Sequence, residues 1–125
     1  MKRTVLVVDD DGGVLKMIEL MLGDSGFDVI VAPSGHDGLR ALEHRMFDLI
    51  ITDIIMPEME GIELITQLRK TRPEVPILAI SGGGRSRNFD FLNFAKKLGA
   101  RAILEKPFRR EGLLEAVNKA LSGAG

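Results

Sequence analysis

The sequence has no cysteine, no tryptophan and no tyrosine. Without cysteine there can be no disulfide, no thiolate metal site and no thiol nucleophile. Without tryptophan or tyrosine the chain lacks the usual rings for stacking on a flavin. An excess of one charge is missing too. The 17 basic and 18 acidic residues leave a formal net charge of −1, whereas a nucleic-acid-binding domain ordinarily carries a basic surplus. No direct nucleic-acid partner is therefore expected. No apolar run reaches the length of a membrane span. The opening Met1-Lys2-Arg3-Thr4 passes straight into a strand pattern, without the apolar stretch and small-residue cleavage site of a signal peptide. A cytoplasmic protein with no membrane partner is the expectation. Gly-Lys-Ser and Gly-Lys-Thr are absent as well, so Gly82-Gly83-Gly84 with Arg85 and Arg87 reads as a solvated loop, not a nucleotide P-loop.

What is present suits one globular domain. The 125 residues, 45% of them hydrophobic, are enough for one core and too few for two, so a single domain over residues 1–125 is expected. Apolar strand-length runs alternate with segments of helical period. Thr4-Val5-Leu6-Val7-Val8, 28–32, 48–53, 75–80 and 101–105 are the expected strands. The first, third and fourth are almost continuously apolar, as strands covered on both faces are. Between them, Val14, Leu15, Ile18 and Leu22 share one helical face, with Gly23 and Gly26 expected to end that helix and Asp11 to cap its start. Ser34 and Asp37 form a capping box ahead of Leu39 and Leu42. Ile62, Ile65 and Leu68 mark a third helix that stops before Pro73. Phe91, Phe94 and Leu98 mark a fourth, closed by Gly99. Leu113, Leu114, Val117 and Leu121 mark a fifth. The closing Ser122-Gly123-Ala124-Gly125 reads as a frayed terminus or the stub of a linker. Five β-α units in series predict an α/β doubly wound, five-stranded parallel sheet in the order 2-1-3-4-5 with five helices.

Asp9, Asp10 and Asp11 follow the first strand, and Asp53 ends the third. In such a sheet ligands gather at the carboxyl ends of the strands, where the strand order reverses. Strands one and three are neighbours there, so Asp9 or Asp10 would share a pocket with Asp53. Carboxylates that close repel one another. A hard divalent cation relieves this, and magnesium commonly takes one or two carboxylates plus water and phosphate oxygens. Ser81 and Lys106 end the fourth and fifth strands. A hydroxyl and an ammonium beside a metal can bind the equatorial oxygens of a phosphoryl group, and a carboxylate can itself be the nucleophile.

These segments resemble the receiver domains of two-component response regulators over residues 4–121. Val7-Val8-Asp9-Asp10 is similar to that family's acidic pair. The run Asp53-Ile54-Ile55-Met56-Pro57-Glu58-Met59-Glu60-Gly61 is similar to its phosphoacceptor segment. Ser81 stands where the family has Ser or Thr, and Lys106-Pro107-Phe108 resembles its Lys-Pro-Phe. The resemblance implies a flavodoxin-like, CheY-like fold and a magnesium-dependent phosphoryl transfer onto Asp53. It implies Mg2+ held by Asp10 and Asp53, with Asp9 acting through water and the Ile55 backbone carbonyl as a further ligand. Lys106 would pair with Asp53 and then with the phosphoryl group, toward which Ser81 would swing. The donor would be a phosphohistidine on a sensor histidine kinase or histidine phosphotransfer protein. A downstream effector would meet the face of the fourth helix, fifth strand and fifth helix. The Lys106-Pro107 bond is often cis in that family.

Ile103 stands where the family commonly has an aromatic residue. The readout is therefore expected in the 82–94 segment, with Phe89 a candidate partner contact. Two other classes compete. A turnover aspartyl-phosphate phosphatase commonly has a second acid two residues after its nucleophile, where this sequence has Ile55. A flavodoxin-like cofactor binder would not be expected to place acids in its first loop. His36 and His44 are expected at the surface, and Met56 and Met59 in loop packing.

Overall fold

The computed structural model describes residues 2–54, 60–82 and 96–122, with residues 60–62 described by their backbone only. Five strands, β1 (Thr4–Val8), β2 (Asp28–Ala32), β3 (Leu49–Asp53), β4 (Ile77–Gly82) and β5 (Ala102–Lys106), form one sheet in the order β2-β1-β3-β4-β5. All four strand pairs are parallel. Four helices lie among the described residues: α1 (Gly12–Asp24), α2 (Gly35–His44), α3 (Glu60–Thr71) and α4 (Arg110–Ser122). The last is the fifth helix of the sequence reading. The helix expected around Phe91 and Phe94 falls mostly outside the described residues, although residues 96–97 have helical backbone.

Strand side chains alternate between two cores, as a period of two requires. Leu6, Val8, Ile50, Ile77 and Ala79 face one side, with Leu42 from α2 and Leu64, Ile65 and Leu68 from α3. Val5, Val7, Leu49, Ile51, Leu78 and Ile80 face the other, with Leu15, Ile18 and Leu22 from α1 and Leu113, Val117 and Ala120 from α4. Each such large side chain removed from water stabilises the fold by roughly 1.5–3 kcal/mol before entropy is counted. The two faces of the sheet are thus covered by helices, and the strand ends are not.

The caps are those the sequence indicates. The Asp11 carboxylate accepts the N–H groups of Gly13 and Val14, at 2.9 and 3.3 Å, and starts α1. Ser34 Oγ accepts from Asp37 N at 3.1 Å and donates to Asp37 Oδ2 at 2.9 Å. Four elements have bounds other than those expected, among them β3, which starts at Leu49 and not at residue 48. Gly23 lies inside α1, and the chain turns at Gly26, whose φ of 94° suits a residue without Cβ. The fourth strand starts at Ile77, not residue 75, and runs on through Ser81 and Gly82. The fifth starts at Ala102 and includes Lys106. Gly99, with φ 96°, makes the turn before β5, and the Lys106-Pro107 peptide is cis.

Candidate functional site

The parallel register puts chemistry at one rim. Val8 pairs with Thr52, Asp53 with Ile80, Ser81 with Glu105 and Gly82 with Lys106. Asp9, Asp53, Ser81 and Lys106 therefore reach the carboxyl edge together, from four neighbouring strands. Asp9, Asp53 and Ser81 are buried there, and Asp10 is exposed.

Lys106 is the hub. Its Nζ donates to Asp53 Oδ2 at 2.9 Å and lies 3.0 Å from Asp9 Oδ2. The second contact is an ion pair and does not satisfy Asp9 Oδ2 as a hydrogen-bond acceptor. Asp9 Oδ1 accepts the N–H of Asp11 at 2.9 Å. Burial holds the Asp9 carboxyl above the ordinary carboxylate value. The Asp11 N–H and Lys106 pull against that shift, and the Asp53 charge adds to it. Burial alone would lower the Lys106 ammonium, but its hydrogen bond to Asp53, its close contact with Asp9 and the charges of both acids outweigh that and raise it. Lys106 is thus held as a cation against two acids.

A metal ion fits this donor set. Asp9, Asp10 and Asp53 each offer a carboxylate oxygen, all within 4.8 Å of one another. Oxygen donors and concentrated negative charge favour a hard cation. Asp9 Oδ2, buried without a hydrogen bond, keeps lone-pair capacity for an ion or its water.

The structure brings Asp9, Asp10, Asp53 and Lys106 together as expected, and puts Ser81 at the same edge. The Asp9–Lys106 ion pair was missed by sequence reasoning, which gave Lys106 only Asp53 as a partner. No local signal could have shown it, because two strands separate β1 from β5 in the sheet. Ile55, Met56, Met59, Arg85, Arg87 and Phe89, and nearly all of the 82–94 segment, lie outside the described residues. His36 and His44 are exposed.

A doubly wound sheet gathers carboxylates around a lysine at its carboxyl edge, an arrangement suited to handling a phosphoryl group. A family model described as the response regulator receiver domain matches residues 5–118, and the chain belongs to that family. Phosphorylation on an aspartate is the family's general function, and its members generally bind Mg2+ at an acidic cluster. Among curated relatives, the transcriptional regulatory protein GlrR of Escherichia coli (strain K12) is 35% identical over 117 residues, covering 94% of this chain and 26% of GlrR. The alkaline phosphatase synthesis transcriptional regulatory protein PhoP of Bacillus subtilis (strain 168) is 35% identical over 108 residues, covering 86% of this chain and 44% of PhoP. The chain thus spans less than half the length of these relatives. Among solved structures, the chemotaxis response regulator CheY4 of Vibrio cholerae superposes with a TM-score of 0.85 at 32% identity, covering 97% of this chain and all of that one.

Proposed function

We propose that Asp53 is the phosphoryl acceptor of a two-component relay, and that residues 1–125 act as a single receiver domain. The Lys106 bridge between Asp53 and Asp9 is the observation that carries this reading. A carboxylate oxygen of Asp53 attacks the phosphorus of a phosphohistidine. The N–P bond breaks, and its electron pair stays with the departing imidazole. Lys106 exchanges its contact with the carboxylate for one with a phosphoryl oxygen, and the Ser81 hydroxyl donates to another. In this reading the domain promotes its own phosphorylation and, by admitting water in line, its dephosphorylation.

Asp9, Asp10 and Asp53, with the Ile55 carbonyl, are the proposed Mg2+ ligands. When bound, the ion neutralises the acids and the incoming phosphate. The proposed donor is a sensor histidine kinase or histidine phosphotransfer protein in the cytoplasm. None of the described helices is long and apolar enough to cross a membrane. A downstream effector is proposed at the face that includes β5 and α4, where a groove of about 310 Å³ runs between Ile103, Leu104, Gly112, Glu115 and Lys119. The transcriptional regulators among the relatives support an effector reading.

Acetyl phosphate and magnesium test the acceptor, with intact mass as the readout. The wild type should gain one phosphoryl group and Asp53→Asn none. Equal labelling of the two proteins would overturn the assignment.

A further inference from the structure

Met46 lies at the opposite end of the sheet from the acids, in the connection between α2 and β3. It is 68% exposed, although a methionine gains stability chiefly by being buried. A lone surface hydrophobe needs no explanation in itself. Met46 differs in what its sulfur touches. Arg72, the first residue after α3, donates from Nη1 to Met46 Sδ at 2.9 Å. The other terminal nitrogen, Nη2, donates to the Leu42 carbonyl in the last turn of α2. The guanidinium thus caps the carbonyl end of one helix, where a cation is favoured, and presents a charged donor to an exposed thioether.

We propose that Met46 is a site of reversible oxidation by a peroxide, with Arg72 as the built-in hydrogen-bond donor to the sulfoxide oxygen. One peroxide oxygen bonds to Sδ and the O–O bond breaks. The sulfur loses two electrons, and the remaining peroxide oxygen leaves as water. A thioether is a weak acceptor, whereas a sulfoxide oxygen is a strong one. Arg72 Nη1 then makes a charge-assisted hydrogen bond to oxygen in place of its contact with sulfur. Oxidation in a core disrupts packing, but here the polar product meets solvent and a cation. It tightens the link from the end of α3 to the end of α2. Met17 and Met21, both half-buried on α1, have less access to the oxidant.

Hydrogen peroxide, peptide mass mapping and thermal melting test this on the whole chain. Met46 should take up oxygen before Met17 and Met21. The oxidised wild type should melt about 3 °C above the reduced form, as a modest gain in one hydrogen bond would give, and methionine sulfoxide reductase should reverse the shift. The rise should vanish in Met46→Leu, and in Arg72→Leu even though Met46 still oxidises there. Oxidation of Met17 or Met21 ahead of Met46 overturns the proposal, as does a rise that survives in either variant. Labelling of Asp53 is a separate readout, so the fate of the acceptor assignment does not decide this one.

Discussion

At the scale of single residues, the balance of charge on Asp9 has a direct consequence for stability. Its carboxyl is raised by burial in spite of Lys106. An acid whose folded value is raised favours the folded state below its ordinary value of 3.8. It loses that contribution as pH climbs through the folded value. Ionised Asp9 is therefore a net burden on the metal-free protein at neutral pH. Asp9→Asn keeps an oxygen for the Asp11 N–H and removes the burden. In chelator, the variant should melt above the wild type at neutral pH, and the gap should close once the pH falls below that ordinary value. A variant that melts below the wild type at neutral pH would mean that the Lys106 pair outweighs burial. The roles of these acids were only partly legible. Asp11 was read as a cap because it directly precedes a helical period, a relation between near neighbours. The second partner of Lys106 depends on how far a long side chain reaches over β4 and β3, which no spacing records.

At the scale of elements, α2 shows how closely helix and sheet meet. A Cβ on Gly38 would lie 3.0 Å from Val8 Cγ2 and 3.6 Å from Leu64 Cδ2. Val8 and Leu64 are fully buried, which leaves them little room to move aside. Gly38→Val should therefore cost about 2–3 kcal/mol through overpacking, measured by urea unfolding. A cost near zero would show that α2 can lift off the sheet. The strands were legible because β-branched apolar runs bounded by turn residues have few other uses in a chain of this size. Their ends were less so. Val75 is as apolar as a strand residue and is buried, yet it lies in the approach to β4. The carbonyl of Pro76 joins the ladder by accepting from Ile50 N at 3.0 Å, but proline has no N–H to give back. Gly23 was expected to stop α1 because glycine is a common stop. With open space around its Cβ position, it was carried through by the apolar face on either side.

At the scale of the whole molecule, crowding of acids at one rim opposes the metal-free fold, and the proposed cation would relieve it. A ligand that binds only the folded state stabilises it by mass action, about 2.7 kcal/mol at roughly a hundredfold excess over Kd. Magnesium should raise the melting temperature of the wild type, and Asp10→Ala should remove most of that rise while leaving the melt in chelator little changed. Asp10 is exposed and no ion pair involves it among the described residues, so its loss costs the metal-free fold little. No shift in the wild type would count against a metal site. The overall topology was the most legible feature of all, because alternating strand and helix periods leave few right-handed, unknotted ways to build a sheet.

The register of the strands also has a consequence in time. Asp9, Asp53, Ser81 and Lys106 are scattered along the chain and become neighbours only when β1, β3, β4 and β5 have all paired. No fragment or half-assembled sheet contains the constellation, and contacts this remote in sequence form late. On the proposed assignment of Asp53 as acceptor, competence to accept a phosphoryl group is a clock for the completion of folding. During refolding from urea, a short pulse of acetyl phosphate and magnesium should label nothing while helical signal is already returning. Labelling should rise with the final phase. Labelling that tracked the early helical signal would mean that the acceptor works without its lysine in place.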